Sequence, residues 1–467
     1  MTVRRRGAPS LESLFIATFA LLGLRLGLRP LGDNSLFIHL RTGLDLVATG
    51  RVPRVDPYSF TAGGDPWVVQ SWLASLLYGL VEAAGGFPAV RLLHGLLYGL
   101  VAWLVARLAR TGSSLRTALA AFLVIGAGVV YWSPRPLAIG ILGLALTVTV
   151  VERRRPWWLL VPVVWVWANS HGSFVLGLAW LALVAVGEWL DGGRRRTLPP
   201  VTPWLGGFLV GAVVAAANPL GPRLLVFPFT VVGQRDAFRH VVEWRSPSFQ
   251  SATGLVTLVC LVGILVVVAR TRSAWRDLAP VGAFVLAGLA AQRNLPMAAV
   301  VAAPVVGRAL QGAGSASRDG EDDRTARPLH LGLAGALLAL AAVFVIVAAR
   351  EPAFAFDGYP VAASRLVEPA ARVATTDVAA GYLILQEGED ANVFIDDRVD
   401  LYPVRVTKDY LTLLDGRPGA LGVLDRYDVE VVLWETDRAL HAQLAASERW
   451  RRVGTEDGWA VWVRRGG

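Results

Sequence analysis

The chain has 467 residues and a formal net charge of +9, with 54% hydrophobic and 17% charged residues. Soluble domains carry about 45–50% apolar and about 25% charged residues, so this composition, with a mean hydropathy of +0.50, indicates a polytopic membrane protein. Its arginines lie in short clusters between apolar runs, as topology determinants do, which argues against nucleic acid as a partner. The single cysteine, Cys260, excludes an internal disulfide and a cysteine-based metal cluster.

Apolar runs near the roughly 20 residues that cross a bilayer recur along the first 350 positions. We predict eleven spans, at 11–29, 88–107, 116–132, 136–151, 156–169, 172–190, 202–218, 254–270, 277–291, 295–311 and 331–349. The main arginine clusters share one side of the membrane only if residues 66–85 do not cross it. We therefore interpret 66–85 as an interfacial or re-entrant helix. The N-terminus is then inside, and the expected location is the cytoplasmic (inner) membrane.

The chain divides into a predicted transmembrane domain at 1–350 and a predicted outer domain at 351–467. The first contains a long outer loop at 30–87 and a polar, Gly/Ser-rich cytoplasmic linker at 312–329. In the second, "RVATTD", "NVFIDD", "EVVLWE" and "GWAVWVRR" are typical of strands, with helix-like stretches between the first three. The predicted fold class is an α-helical polytopic membrane protein with a small C-terminal extracytoplasmic α/β domain.

The stretch "GDNSLFIHLRTG", residues 32–43, follows the first span and gathers polar and titratable groups. From residue 34 to 49, apolar residues recur at helical spacing, which predicts an amphipathic helix lying in the membrane interface. Asp33 or Asn34 would cap its start, where free N–H groups and the helix dipole favour a carboxylate. A capped carboxylate is held rigidly and can still accept a proton.

This layout resembles the GT-C superfamily of polytopic membrane glycosyltransferases, which use polyprenyl-phosphate-linked sugars. Within that resemblance the chain is similar to a group of uncharacterised bacterial proteins. The matching stretches are "GDNSLFIHLRTG", "GRVPRVDPYSFTAGGDPWVVQSWLA", "WANSHGSF", "NPLGPRLL" and "DDRVDLY". The resemblance implies an acidic residue just after the first span, here Asp33, and interfacial helices at 34–49 and 66–85. Many members carry paired acids in this loop, whereas this chain has Asp33 alone, with Asp56 and Asp65 farther along.

Transfer from a lipid phosphate requires a base for the acceptor hydroxyl and cations for the departing phosphate. Asp33 is the first candidate for the base and Asp56 of "VDPYSF" the second, although Asp56 before a proline also fits a turn. His39 either orients the base, binds phosphate or faces lipid headgroups. The candidates for binding the donor phosphate are Arg135, Arg223, Arg293 and His171. The alternatives are headgroup anchoring for the arginines and a loop cap for the histidine.

Two further groups are candidates for contact with the acceptor. Glu243 and Trp244 lie side by side in "VVEWRSP", although tryptophan is also enriched at membrane interfaces. Asp396, Asp397 and Arg398 end a predicted strand, where they either meet a ligand or form an internal ion pair. Paired acids could hold a divalent metal, but the sequence shows no required cofactor. It also lacks P-loop, dinucleotide-binding and nucleophile-elbow motifs.

The sequence therefore predicts a glycosyltransferase that moves a sugar from a polyprenyl-phosphate donor to a glycan, lipid or protein acceptor on the outer face. A non-enzymatic transporter or flippase of lipid-linked saccharides and a cell-envelope assembly protein are the alternatives. The enzyme is favoured because polar residues concentrate in the first outer loop and the outer turns. A transporter would place them within facing spans or show broken-helix repeats.

Overall fold

A computed structural model describes residues 8–192, 198–233, 242–271, 273–312 and 327–466. The helices are α1 (Leu11–Gly27), α2 (Asn34–Thr49), α3 (Trp72–Leu108), α4 (Ser114–Gly128), α5 (Leu137–Glu152), α6 (Leu160–Ser170), α7 (Phe174–Gly192), α8 (Thr202–Val214), α9 (Arg223–Gly233), α10 (Ala252–Ala269), α11 (Trp275–Ala290), α12 (Leu295–Gly312), α13 (Arg327–Arg350), α14 (Asp377–Glu387), α15 (Val404–Leu414), α16 (Ala420–Arg426) and α17 (Ala439–Ala445). The strands are β1 (Val373–Ala374), β2 (Val431–Glu435), β3 (Trp450–Glu456) and β4 (Trp459–Arg464). Most of the predicted linker at 312–329 lies outside the described residues.

A helix overlies each of the eleven predicted spans, but they differ in length. In the described parts of the chain, five helical segments are long and apolar enough to cross a membrane: Trp72–Leu108, Ser114–Tyr131, Phe174–Gly192, Ala252–Ala269 and Arg327–Arg350. Helices α5 and α8 are apolar but shorter. The fold is thus that of a mostly helical membrane protein with a small C-terminal sheet, and eleven crossings are not confirmed.

The described chain forms two compact units. The first comprises Met1–Pro30, Gly85–Asn218 and Val241–Ala353 and is helical. The second comprises Leu31–Ala84, Pro219–His240 and Phe354–Gly467. The segment after the first helix therefore packs with the C-terminal residues in one unit, although more than 250 positions separate them in the chain.

A buried cation ties helix ends together in the first unit. Arg91 is only 1% exposed. Its guanidinium donates to the carbonyl oxygens of Leu28 (2.6 Å) and Ala348 (2.8 Å) and to the Glu351 carboxylate (2.6 Å). Carbonyls at helix C-termini have no partner within the helix, so Arg91 satisfies groups at the ends of α1 and α13.

The sheet of the second unit has the strand order β1-β2-β4-β3, with β1 parallel to β2 and the other pairs antiparallel. The strands predicted in "RVATTD", "EVVLWE" and "GWAVWVRR" are confirmed. The strand predicted in "NVFIDD" is wrong: Val393 makes only isolated bridges to Ser59 and Val373. Strand β3 was not predicted, because only its first residue is buried and it lacks apolar alternation.

The segment predicted as a separate helix at 66–85 forms the first part of α3. This helix begins at Trp72 and is interrupted where Gly85 and Gly86 leave helical geometry, the latter at φ 67°. In the second unit, the first part of α3 packs closely on α2. A Cβ at Gly43 would overlap the Ser75 carbonyl oxygen, and one at Gly79 would overlap the Gly43 carbonyl. Glycines thus allow these two backbones to touch.

Candidate functional site

The position of Asp33 is fixed by the two residues that precede it. Leu31 forms a parallel bridge with Phe354, and its carbonyl oxygen accepts the Ala355 N–H at 2.8 Å. The Tyr359 hydroxyl donates to the Gly32 carbonyl at 3.0 Å. These bonds hold the chain at the entrance to α2.

Asp33 itself is the N-cap of α2, which confirms the predicted cap. Its backbone is extended, at φ −105° and ψ 121°, and its Oδ1 accepts the N–H groups of Ser35 (3.0 Å) and Leu36 (3.3 Å). The side chain is half-buried. The carboxylate is therefore held in a defined orientation while part of it reaches solvent.

The buried face of α2 holds this helix, and with it the capping residue Asp33, in place. Leu36, Phe37 and Leu40 are fully buried. The Phe37 ring lies 5.3–5.8 Å from the rings of Phe354, Phe356 and Tyr359. The predicted apolar stripe is thus a packing surface over its first two turns. Farther along, Val47 is 39% exposed, so the stripe does not continue to the helix end.

His39 lies on α2 and faces the first part of α3. Its Nδ1 is 3.2 Å from the Ser75 hydroxyl, and the ring is half-buried. A role in orienting a base or binding phosphate stays a prediction.

Asp56, Asp396 and Arg398 meet in the second unit and form what we call the Arg398 triad. Nη2 of Arg398 donates to Asp56 at 2.7 Å and to Asp396 at 2.6 Å. The guanidinium carbon lies 4.4 Å from the centre of the Trp67 ring and 5.1 Å from that of Tyr58. Both aspartate side chains have no exposed surface. From the sequence, Asp56 is a candidate base, whereas Asp396 and Arg398 belong together to the candidate acceptor contacts, and the fold brings all three residues together.

The remaining bonds of the triad are also internal. Asp56 accepts the N–H groups of Tyr58 and Ser59, each at 3.1 Å, as an aspartate does at a turn. Asp396 accepts the Tyr402 hydroxyl at 2.8 Å. Burial disfavours the Arg398 cation, but Asp396, Tyr402 and Asp56 outweigh it and raise the pKa of Arg398 well above its ordinary value. For Asp56, this geometry matches the alternative of a turn. For Asp396 and Arg398, it matches the alternative of an internal ion pair.

The divalent metal considered from the sequence stays a prediction. In the described ranges, no group of three or more His, Cys, Asp or Glu side chains is placed to hold a metal ion. The buried carboxylates of Asp56 and Asp396 are both paired with Arg398. Asp397, next to them, is half-buried.

Four candidate residues meet in the first unit. Glu243 accepts hydrogen bonds from Arg135 (2.7 Å, to Oε2) and from Arg293 (2.8 Å, to Oε1). The Arg293 guanidinium lies 4.7 Å from the centre of the Trp244 ring. We call Arg135, Glu243, Trp244 and Arg293 the two-arginine cluster. Its members come from three separate turns between helices, so the fold creates it.

Within the two-arginine cluster, two guanidinium cations face one carboxylate. Burial alone would raise the pKa of Glu243, but Arg293 and Arg135 outweigh this effect and lower it, so the carboxylate stays ionised. Two cations then share one anion. The side chains of Arg135, Glu243 and Arg293 are 24%, 28% and 20% exposed, so solvent reaches them. A cluster with these properties can accept a further anion.

The two remaining candidates lie in different units. His171 ends α6, where its Nδ1 accepts the Ser173 N–H at 3.1 Å, as a loop cap does. Arg223 is the first residue of α9 in the second unit and is exposed. Phosphate binding by either residue stays a prediction.

Comparisons with known proteins give a likeness of structure. No protein-family model and no curated protein sequence matches the chain. Among solved structures, the chain is similar to the archaeal oligosaccharyltransferase AglB from Archaeoglobus fulgidus, in complex with an inhibitory peptide and a dolichol-phosphate. The TM-score is 0.49 at 10% sequence identity, and the alignment covers 97% of this chain and 74% of that chain.

Proposed function

We propose that this protein is a membrane glycosyltransferase that moves a sugar from a polyprenyl phosphate to a glycan, lipid or protein acceptor on the outer face of the cytoplasmic membrane. An acceptor hydroxyl oxygen attacks the anomeric carbon of the sugar, and the bond from that carbon to the phosphate oxygen breaks. The hydroxyl proton passes to Asp33, and polyprenyl phosphate leaves as the anion.

The observation that carries the proposal is the two-arginine cluster. Arg135 and Arg293 each donate an N–H to Glu243, and their side chains are 24% and 20% exposed. Guanidinium groups match the geometry of phosphate, and donors fixed before reaction stabilise charge that develops on a leaving group. In this proposal Glu243 positions the two arginines rather than contacting the acceptor. The Trp244 ring holds Arg293 from one side.

We assign Asp33 as the base because its carboxylate has a fixed orientation and is partly exposed to solvent. Asp56, the second candidate, is fully buried and paired with Arg398, so we assign the Arg398 triad to holding the second unit together. A base must reach the proton that it removes. A carboxylate closed off by an ion pair does not offer that access.

Replacing the arginines tests the phosphate site. We expect Arg293→Gln and Arg135→Gln each to weaken donor binding about 10- to 100-fold, since one charge-assisted hydrogen bond contributes roughly 1.5–3 kcal/mol. The measurement is a titration of purified protein in nanodiscs with a panel of radiolabelled polyprenyl-phosphate sugars, followed by transfer to acceptors.

Arg350→Gln is the matched control, because Arg350 is an exposed arginine at the end of α13 and belongs to no cluster described here. It should bind donor as the unaltered protein does. Unchanged donor affinity in both Arg135→Gln and Arg293→Gln would refute the phosphate site. Donor movement across a vesicle membrane without any transfer would instead favour the flippase.

A further inference from the structure

A second concentration of arginines surrounds a cavity of 480 Å³ in the first unit. The residues that line it and carry the inference are Arg107, Arg110, Arg153, Arg308, Gln311 and Glu152. The cavity lies where α3, α5 and α12 end and α4 begins. On the predicted topology this is the cytoplasmic side, away from the outer turns that carry the proposed chemistry.

Two of the four arginines are neutralised within the protein. Arg110 pairs with the buried carboxylate of Glu12. Arg308 donates to Glu152 at 2.5 Å and to Asp277 at 2.6 Å. Their side chains are therefore positioned before any ligand arrives.

The charges of the other two arginines are not neutralised in this way. Arg107 and Arg153 form no ion pair with a carboxylate in the part of the chain that the structure describes. Arg153 donates to the Arg107 carbonyl at 3.4 Å, and Arg107 lies 4.8 Å from the centre of the Trp103 ring. Burial, together with Arg107, Arg110 and Arg155, lowers the pKa of Arg153. A bound anion would relieve this repulsion.

Membrane topology and the helix dipole explain why arginines lie at these helix ends. They do not explain why the arginines converge on one cavity. Either effect is satisfied by cations spread around the rim, each near its own helix end. Neither requires cations from separate elements to converge on one cavity, nor two of them to lie there without a carboxylate. The convergence indicates a ligand with several acceptor oxygens and negative charge.

We propose that this cavity binds the phosphate headgroup of an anionic phospholipid. The ends of spanning helices lie at the level of headgroups, and basic pockets between such helices bind headgroups of this kind. Guanidinium groups pair bidentately with phosphate oxygens, and Arg107 and Arg153 are the two with donors to spare. A lipid bound there fixes the ends of α3, α5 and α12 against one another, independently of the proposed transfer.

The test compares lipid binding by the unaltered protein with lipid binding by the double variant Arg107→Gln/Arg153→Gln. Purified protein is exchanged into nanodiscs containing phosphatidylglycerol or cardiolipin in phosphatidylcholine, and retained lipid is counted by native mass spectrometry. We expect a preference for the anionic lipid that falls roughly 10- to 30-fold in the double variant, since each arginine near a headgroup contributes about one kilocalorie per mole.

Arg116→Gln/Arg270→Gln is the control, because it removes the same charge from the same predicted side and neither residue lines the cavity. It should keep the preference. An equal loss in both double variants would overturn the proposal, as would an unchanged preference in Arg107→Gln/Arg153→Gln. Inorganic pyrophosphate is the third arm. Binding of pyrophosphate that depends on Arg107 and Arg153, without any lipid preference, would overturn the lipid assignment in favour of a soluble phosphate.

Discussion

Asp33→Asn should lower the rate of sugar transfer about 10²- to 10⁴-fold while leaving the fold intact. Asparagine is as good an N-cap as aspartate, because its side-chain oxygen accepts the same N–H groups from Ser35 and Leu36. It cannot take a proton from the acceptor hydroxyl. The substitution therefore separates the two roles that the sequence left open at this position.

Two further variants complete this experiment. Asp33→Ala loses the cap as well and should also cost about 1 kcal/mol of stability, seen as a lower melting temperature. Asp65→Asn changes an exposed carboxylate in the same loop and should leave transfer unaffected. Full transfer by Asp33→Asn would remove Asp33 from the mechanism and return it to a purely capping role.

Arg398→Met should destabilise the second unit by about 3–5 kcal/mol. Methionine keeps much of the side-chain volume between Tyr58 and Trp67, so the loss comes mainly from charge. It leaves Asp56 and Asp396, both without exposed side-chain surface, in the interior without their cation. Hydrogen exchange of the amides in 56–59 and 396–402 should then become much faster than in the unaltered protein.

The triple variant Arg398→Met/Asp56→Asn/Asp396→Asn tests whether unpaired buried charges cause this loss of stability. Removing the two charges together with the cation avoids an unpaired buried anion, so we expect the triple variant to be more stable than Arg398→Met alone. A triple variant that loses as much stability as the summed single changes would show that packing rather than charge explains the effect.

Local features could be predicted from the sequence because their signals are local. The order Asp-Asn-Ser before an apolar stripe predicts a capped helix, and α2 begins at Asn34 with Asp33 as its cap. Short apolar runs rich in valine and tryptophan predict β2 and β4, and both are present. Strand β3 has mostly exposed positions, so its place in the sheet depends on pairing with β4 and not on its own pattern.

The clusters were harder to predict because their members are far apart in the chain. From the sequence, Glu243 and Trp244 are neighbours that predict either an acceptor contact or, for the tryptophan, a place at the membrane interface. The bonds from Arg135 and Arg293 cross 108 and 50 positions, and no spacing rule covers such distances. The same holds for Arg91, whose carbonyl partners lie at the ends of two other helices. Long-range ion pairs are decided by tertiary packing.

The pairing of Asp56 with Arg398 has a consequence for biosynthesis. The two residues are 342 positions apart, so the ribosome completes the first of them long before the second. Throughout that interval the early carboxylate lacks Arg398 to accompany it into an interior, and we expect the segment around it to stay hydrated until residue 398 has been synthesised. Chains truncated ahead of residue 398 should therefore expose this early segment to quality-control proteases even when their spanning helices have inserted.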